Sequence, residues 1–215
     1  MKPFRILIAD DHQIIRQGVK ALLKSADWEI CGEASTGREA VEKANELIPD
    51  IAILDIAMPH LNGSDAARRI RQKSKDTEVL ILSVHYSDQL VREIIDAGAS
   101  GYVLKTDSDR DLLTAVENLA RHEPFFTSRA AKVIQNEFSA SETLTNNPTE
   151  RRLSSREREI VQLLAEGNSN KEISLSLGLG VATVETHRTN VMRKLGLHSI
   201  SDLVRYAVRN QIIEP

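Results

Sequence analysis

Five polar side chains stand where short apolar runs end. Asp10 and Asp11 close the run at 4–9, Asp55 the run at 51–54, Ser83 the run at 79–83, and Lys105 the run at 101–104. If those runs are parallel strands, their carboxyl ends share one rim, where ligands gather in open α/β sheets. Carboxylates brought together repel one another and need a cation to remain ionised. Hard oxygen donors with open positions suit Mg²⁺, which keeps waters and takes phosphate oxygens. Such an ion screens a phosphoryl group approaching a carboxylate. Lys105 adds a second positive charge, and Ser83 offers a hydroxyl to a phosphoryl oxygen. The expected chemistry is covalent capture of a phosphoryl group by Asp55. Each residue alone has a plainer role, since an Asp after a strand usually caps a helix or shapes a turn. The ordered set on successive runs carries the reading.

The elements that must position this set follow two alternating patterns. Runs at 4–9, 30–34, 51–54, 79–83 and 101–104 are rich in Ile, Val and Leu with few polar interruptions. That is the pattern of parallel strands buried on both faces. Between them lie helical periods at 13–24, 37–47, 64–72, 87–97 and 107–122. In the first, Ile15, Val19, Leu22 and Leu23 fall on one face. Strands alternating with helices predict a doubly wound, five-stranded parallel α/β sheet over residues 1–122.

Glu123-Pro124 breaks the last of these helices. Residues 123–149 are expected to link two domains, with one helix at 128–138. The stretch 139–153 is polar, carries Pro148 and has no apolar period. Residues 150–215 are expected to be all-helical, with four helices. Ser155 opens the first, which Gly167 stops; Ser169 or Asn170 opens the second, which ends at Gly178. Residues 181–195 form the third, stopped by Gly196, and Ser199 or Ser201 opens the fourth. The second and third helices, joined by a tight turn, have the layout of a helix-turn-helix. The third would be its recognition helix, with Val184, Val191 and Leu195 toward the core. A mixed-charge helix face alone is more often merely solvated.

The chain has 28 Lys/Arg and 31 Asp/Glu, of which 10 and 7 lie in residues 151–215. The front is therefore acidic and the back mildly basic, in keeping with a polyanion partner for the back half. Cys31 is the one cysteine, so no internal disulfide forms; it reads as a packed strand residue. The apolar run at 6–9 is far too short for a signal peptide or a membrane span. A reduced, cytoplasmic setting and no membrane contact are expected.

Residues 1–122 resemble a response-regulator receiver domain, flavodoxin-like in fold, through ILIADDH (6–12), DIAILDIAMP (50–59), NG (62–63), VLILSVH (79–85) and GASGYVLK (98–105). The resemblance implies that Asp55 accepts phosphate from a sensor histidine kinase. It implies that Asp11 and Asp55 ligate Mg²⁺ directly, with Asp10 acting through water. Ser83 and Lys105 take the switch hydroxyl and lysine roles, and Tyr102 the aromatic switch position. A half-buried strand tyrosine would serve equally well at 102. Ala57 and His85 occupy the two positions thought to tune phosphoryl lifetime. Residues 153–196 resemble the LuxR-type DNA-binding domain of NarL/FixJ response regulators. That resemblance implies base-facing Glu185, Thr186 and Thr189, and phosphate contacts from Lys171, Thr183, His187, Arg188 and Lys194. Glu157, Glu172, Val184 and Gly167 would be structural. Leu203, Val204, Ala207 and Val208 would form a dimer surface. The expected partners are double-stranded DNA with two half-sites, a second copy once phosphorylated, and RNA polymerase.

The expected function is a phosphorylation-controlled transcriptional regulator, not an enzyme. A carboxylate phosphatase of the haloacid-dehalogenase type would need an Asp-x-Asp nucleophile motif, whereas Asp55 is followed by Ile56-Ala57. A regulator that acts on a protein partner would bind no operator and show a flat salt dependence.

Overall fold

The computed structural model describes residues 3–24, 28–107, 109–140 and 153–213. Two compact units divide the chain, Met1–Thr143 and Leu144–Pro215.

In the first unit, strands β1 (Phe4–Ala9), β2 (Trp28–Ala34), β3 (Ile51–Asp55), β4 (Glu78–Ser83), β5 (Gly101–Leu104) and β6 (Phe125–Phe126) form one sheet in the order β2-β1-β3-β4-β5-β6. Every pairing is parallel. Helices α1 (Gln13–Leu23), α2 (Gly37–Leu47), α3 (Gly63–Lys73), α4 (Asp88–Asp96) and α5 (Asp109–Leu119) cover it. Side chains alternate across a strand, so each strand feeds two cores. Leu7, Leu54 and Ile81 pack with Ala40 of α2, Ile70 of α3 and Val91 of α4. Ile6, Ile53 and Leu80 pack with Val19 of α1 and Val116 of α5. All five residues of β3 are buried, as a central parallel strand requires. Thr36, Asn62 and Ser87 cap α2, α3 and α4 by accepting from backbone N–H groups. Gly63 opens α3 so close to β3 that a Cβ there would stand 2.1 Å from the Asp55 carbonyl oxygen.

The sheet has six strands where five are expected. The extra strand is two residues long, with Gly101 opposite Phe125 and Tyr102 opposite Phe126. A run that short between Pro124 and Thr127 leaves no period to read. Helix α6 (Ser128–Ala140) follows and packs on α4, burying Ala130 and Val133 in the sheet's core. Residues 123–140 are therefore part of the first unit rather than a free connection. The remainder of the expected linker, 141–149, lies outside the described residues.

The second unit contains α7 (Ser155–Ala165), α8 (Asn170–Leu177), α9 (Val181–Leu195) and α10 (Ile200–Arg209). Ser154 with Glu157, and Ser169 with Glu172, form reciprocal capping boxes on α7 and α8. Gly178 and Gly196 end α8 and α9 in the left-handed conformation, where glycine pays no steric cost. Ile160, Leu163, Ile173, Val184, Val191, Leu203, Ala207 and Ile212 form the core.

Candidate functional site

The carboxyl ends of β1, β3 and β5 bring Asp10, Asp55 and Lys105 together. Asp10 and Asp55 are each 1% exposed. The Lys105 ammonium bridges them, 2.7 Å from Asp10 Oδ2 and 2.9 Å from Asp55 Oδ1. Asp55 Oδ2 is buried and has no hydrogen-bond partner. Burial pushes the Asp55 carboxyl up to about 6; Lys105 opposes the shift, while Asp10 and Asp11 add to it by repulsion. Burial works against the charge on Lys105, but the two carboxylates outweigh it and hold its pKa above the ordinary value. The nucleophile expected from the sequence is thus desolvated, backed by a fixed cation, and carries one oxygen unengaged.

Asp11 is the solvent-facing member of the set, with its side chain 30% exposed. His12, which the sequence reading passed over, stands beside it with Nδ1 2.8 Å from Asp11 Oδ1. The backbone N–H of His12 donates to Asp10 Oδ1 at 2.8 Å. Asp10, Asp11 and His12 have ligand atoms within 4.8 Å of one another, a spacing that a metal ion can span. An unpartnered buried carboxylate oxygen and an open acidic lip fit a hard divalent cation with several water ligands.

Ser83 is 1% exposed and closes β4 on the same rim, but its hydroxyl engages its own loop. It donates to the His85 carbonyl at 2.7 Å and accepts from the His85 N–H at 3.1 Å. Tyr102 is fully buried, not half-buried, and its hydroxyl donates to the same carbonyl at 3.0 Å. Burial pushes the Tyr102 phenol well above its usual range. Tyr86, also unforeseen, tilts against Tyr102 with centroids 6.4 Å apart.

On α9, Thr183, Glu185, Thr186 and Thr189 are exposed, and His187 and Arg188 are half-buried. Lys171 is exposed in the first turn of α8. Lys194 differs from expectation: its ammonium lies 2.8 Å from Glu157 Oε2, which ties α9 to the capping box of α7. The pair spans 37 residues, so no local pattern announces it. The expected dimer surface also divides. Leu203 and Ala207 are fully buried in the core of their own unit, whereas Val204 and Val208 keep part of their surface. Ile200, at the start of α10, is 44% exposed.

Among the described residues, no helix is long and apolar enough to cross a membrane. Residues 6–117 match the response regulator receiver domain family, and residues 151–207 match the LuxR family of bacterial regulatory proteins. The oxygen regulatory protein NreC of Staphylococcus aureus is 37% identical over 215 residues, covering 98% of this chain and 99% of that protein. The response regulator ChrA of a heme-sensing two-component system is 28% identical, with a TM-score of 0.52 over 99% of this chain and 100% of that one. RcsB of Salmonella enterica serovar Typhimurium, bound to promoter P1flhDC in the presence of phosphomimetic BeF3-, shares the fold at 24% identity. Its TM-score is 0.65, over 95% of this chain and 98% of that one. These matches, end to end across both units, place the chain in the NarL/FixJ family of two-component response regulators, transcription regulators rather than enzymes, with a receiver domain followed by a LuxR-type DNA-binding domain.

Proposed function

We propose that Asp55 is the residue through which this regulator is switched, by accepting a phosphoryl group from a sensor histidine kinase. The observation that carries the reading is the desolvated Asp55 carboxylate, held by Lys105 and with its second oxygen unpartnered. An Asp55 oxygen supplies the electron pair for the new P–O bond. The P–N bond of the donor's phosphohistidine breaks, its electron pair stays on the leaving imidazole nitrogen, and that nitrogen takes up a proton from water. Lys105 stays beside the acceptor as a fixed countercharge, so the new dianion does not face Asp10 uncompensated. Asp10, Asp11 and Asp55 would hold Mg²⁺, which supplies charge neutralisation at the phosphoryl oxygens. Ser83 then turns its hydroxyl from the His85 carbonyl toward a phosphoryl oxygen, and Tyr102 follows the same carbonyl.

The output is sequence-specific binding of double-stranded DNA by α8 and α9. Glu185, Thr186 and Thr189 face bases; Lys171, Thr183, His187 and Arg188 contact phosphates; Lys194 contributes mainly through Glu157. The phosphorylated protein pairs with a second copy on two half-sites, using Val204 and Val208 on the outer side of α10, and engages RNA polymerase in the cytoplasm. The test is a phosphorylation assay with a small-molecule acyl phosphate, with and without Mg²⁺, on wild type and Asp55→Asn, followed by operator binding. Stable label on the wild type alone, with tighter DNA binding, is the expected result. Equal labelling of Asp55→Asn would remove Asp55 from the role.

A further inference from the structure

The switch carbonyl of His85 is one residue away from a grip on α6. That carbonyl takes two donors, Ser83 Oγ at 2.7 Å and Tyr102 Oη at 3.0 Å, which fills both its lone pairs. The next residue, Tyr86, meets Arg129 of α6. The Arg129 guanidinium lies 4.0 Å over the Tyr86 ring. The Tyr86 hydroxyl donates to the Arg129 carbonyl at 3.2 Å, in the first turn of the helix. The ring itself leans on Tyr102. Ala130 and Val133 of α6 are buried against α4, with Ile134 at the margin.

We propose that the Tyr86–Arg129 pair is a latch. It holds α6 on α4 while Asp55 is unmodified and releases it when Ser83 turns to the phosphoryl group. Loss of the Ser83 hydroxyl leaves the His85 carbonyl with one donor and deprives the His85 N–H of its acceptor at 3.1 Å. The loop carrying Tyr86 then loses both of its bonds to Ser83 and is held at the His85 carbonyl by Tyr102 alone, and the ring loses its fixed position under Arg129. α6 is the last described helix before the DNA-binding unit. Its release lengthens the connection between the units at the moment the regulator must pair on DNA. The device is bistable because the Ser83 hydroxyl proton goes either to the loop or to the phosphoryl oxygen.

The inference rests on the phosphoacceptor reading of Asp55, and the experiment separates the two. Full-length protein is titrated with beryllofluoride and Mg²⁺. Fluorine NMR reports occupancy of the site, and hydrogen exchange with mass spectrometry reports α6. In the wild type, exchange in the first turns of α6 should quicken about tenfold once the site is filled, because a local unit follows its own opening equilibrium. Arg129→Gln should show that fast exchange without beryllofluoride, with an unchanged fluorine signal and unchanged protection in β3 and β4. Tyr86→Phe, which keeps the ring and loses the hydroxyl, should fall between. A filled site with no change in α6, or full α6 protection in Arg129→Gln, overturns the latch alone. No fluorine signal in the wild type overturns the phosphoacceptor reading, and the latch with it.

Discussion

The acidic rim of the first unit and the outer face of α9 in the second are opposite ways to build a site. Asp10, Asp55 and Ser83 are each 1% exposed, and Lys105 bridges two carboxylates at contact distance. Every group there constrains the next, and the ionisation of one depends on the charges of the others. On α9, the exposed Thr183, Glu185, Thr186 and Thr189 share only a helix. The first site stores unfavourable electrostatics in the protein, and the second, the face proposed for DNA, leaves its groups solvated. A buried site should therefore report its mutations as stability and pH dependence, and an exposed one as salt-dependent affinity.

The largest effect should come from the rim. Lys105→Met leaves Asp10 and Asp55 buried without a countercharge, which by the cost of breaking a buried pair is about 3–5 kcal/mol. Urea unfolding at pH 7.5 without divalent cations should show this loss, and Mg²⁺ should restore more stability to the variant than it adds to the wild type. Acid should restore it too, because protonating either carboxylate removes the repulsion. A loss under about 1 kcal/mol would mean that water already screens the rim, and the contrast with α9 would weaken.

Core against surface on α10 is the next comparison. Leu203→Ala should destabilise the second unit by about 2–5 kcal/mol, since it opens a cavity in a fully buried position. Val208→Ala should cost well under that, because the side chain is only partly covered, and should instead weaken self-association measured by light scattering. Equal melting losses for the two variants would place Val208 in the core.

The strand runs and the rim residues were readable because parallel strands need continuous apolar sequence and because strand ends gather on one edge. Four of the expected runs, at 4–9, 51–54, 79–83 and 101–104, fall within one residue of β1, β3, β4 and β5. What escaped reading has a physical reason in each case. Phe125 and Phe126 form a strand only because β5 offers an open edge. Leu203, Val204, Ala207 and Val208 lie on two adjacent stripes of one helix; the core takes Leu203 and Ala207, and periodicity cannot rank neighbours 100° apart. Glu159 and Gln162 are 1% exposed inside α7, where an apolar stripe gives no hint of buried polar groups; Arg156 meets Glu159 at 2.8 Å. The candidate site was legible where burial forced residue types and much less so where side chains face water.

Asp55 itself gives a subtler test of the buried side. Its folded-state pKa, raised to about 6 chiefly by burial, means the ionised form carries a penalty above that pH. An acid with a raised folded value binds its proton in the folded state first, so stability grows as pH falls through 6 toward the unfolded value. Asp55→Asn removes the penalty and keeps the Lys105–Asp10 pair. The metal-free variant should be more stable than the wild type by about 1–3 kcal/mol at pH 7.5. The gain should shrink as pH drops from 6 toward 4. A constant gain across that range would assign the effect to packing rather than to charge.

On the exposed side, Lys171→Ala and Arg188→Ala should each weaken operator binding about three- to tenfold near physiological salt, with little change in melting. Each should also flatten the plot of log affinity against log salt by roughly 0.9, the share of one phosphate contact on duplex DNA. An unchanged slope for either would remove that residue from the phosphate-contacting set.

Lys194 decides between the two designs within a single residue, and its effect should be the smallest. It lies among the basic residues at the end of α9, yet its ammonium is spent on Glu157, whose carboxyl is held below its ordinary value. Burial there opposes the charge, but Lys194 and the Ser154 cap outweigh it. A pair whose side chains are 26% and 17% exposed should couple by about 0.5–1 kcal/mol in a double-mutant cycle with Lys194→Met and Glu157→Gln. The coupling should be lost as pH falls through the lowered Glu157 value, since a depressed acid stabilises the fold only while it is ionised. Lys194→Met should leave the salt slope of DNA binding nearly unchanged, unlike Arg188→Ala. If instead the slope falls by a full phosphate's share while the cycle shows no coupling, Lys194 leaves Glu157 for the backbone of DNA, and the end of α9 belongs with the exposed design.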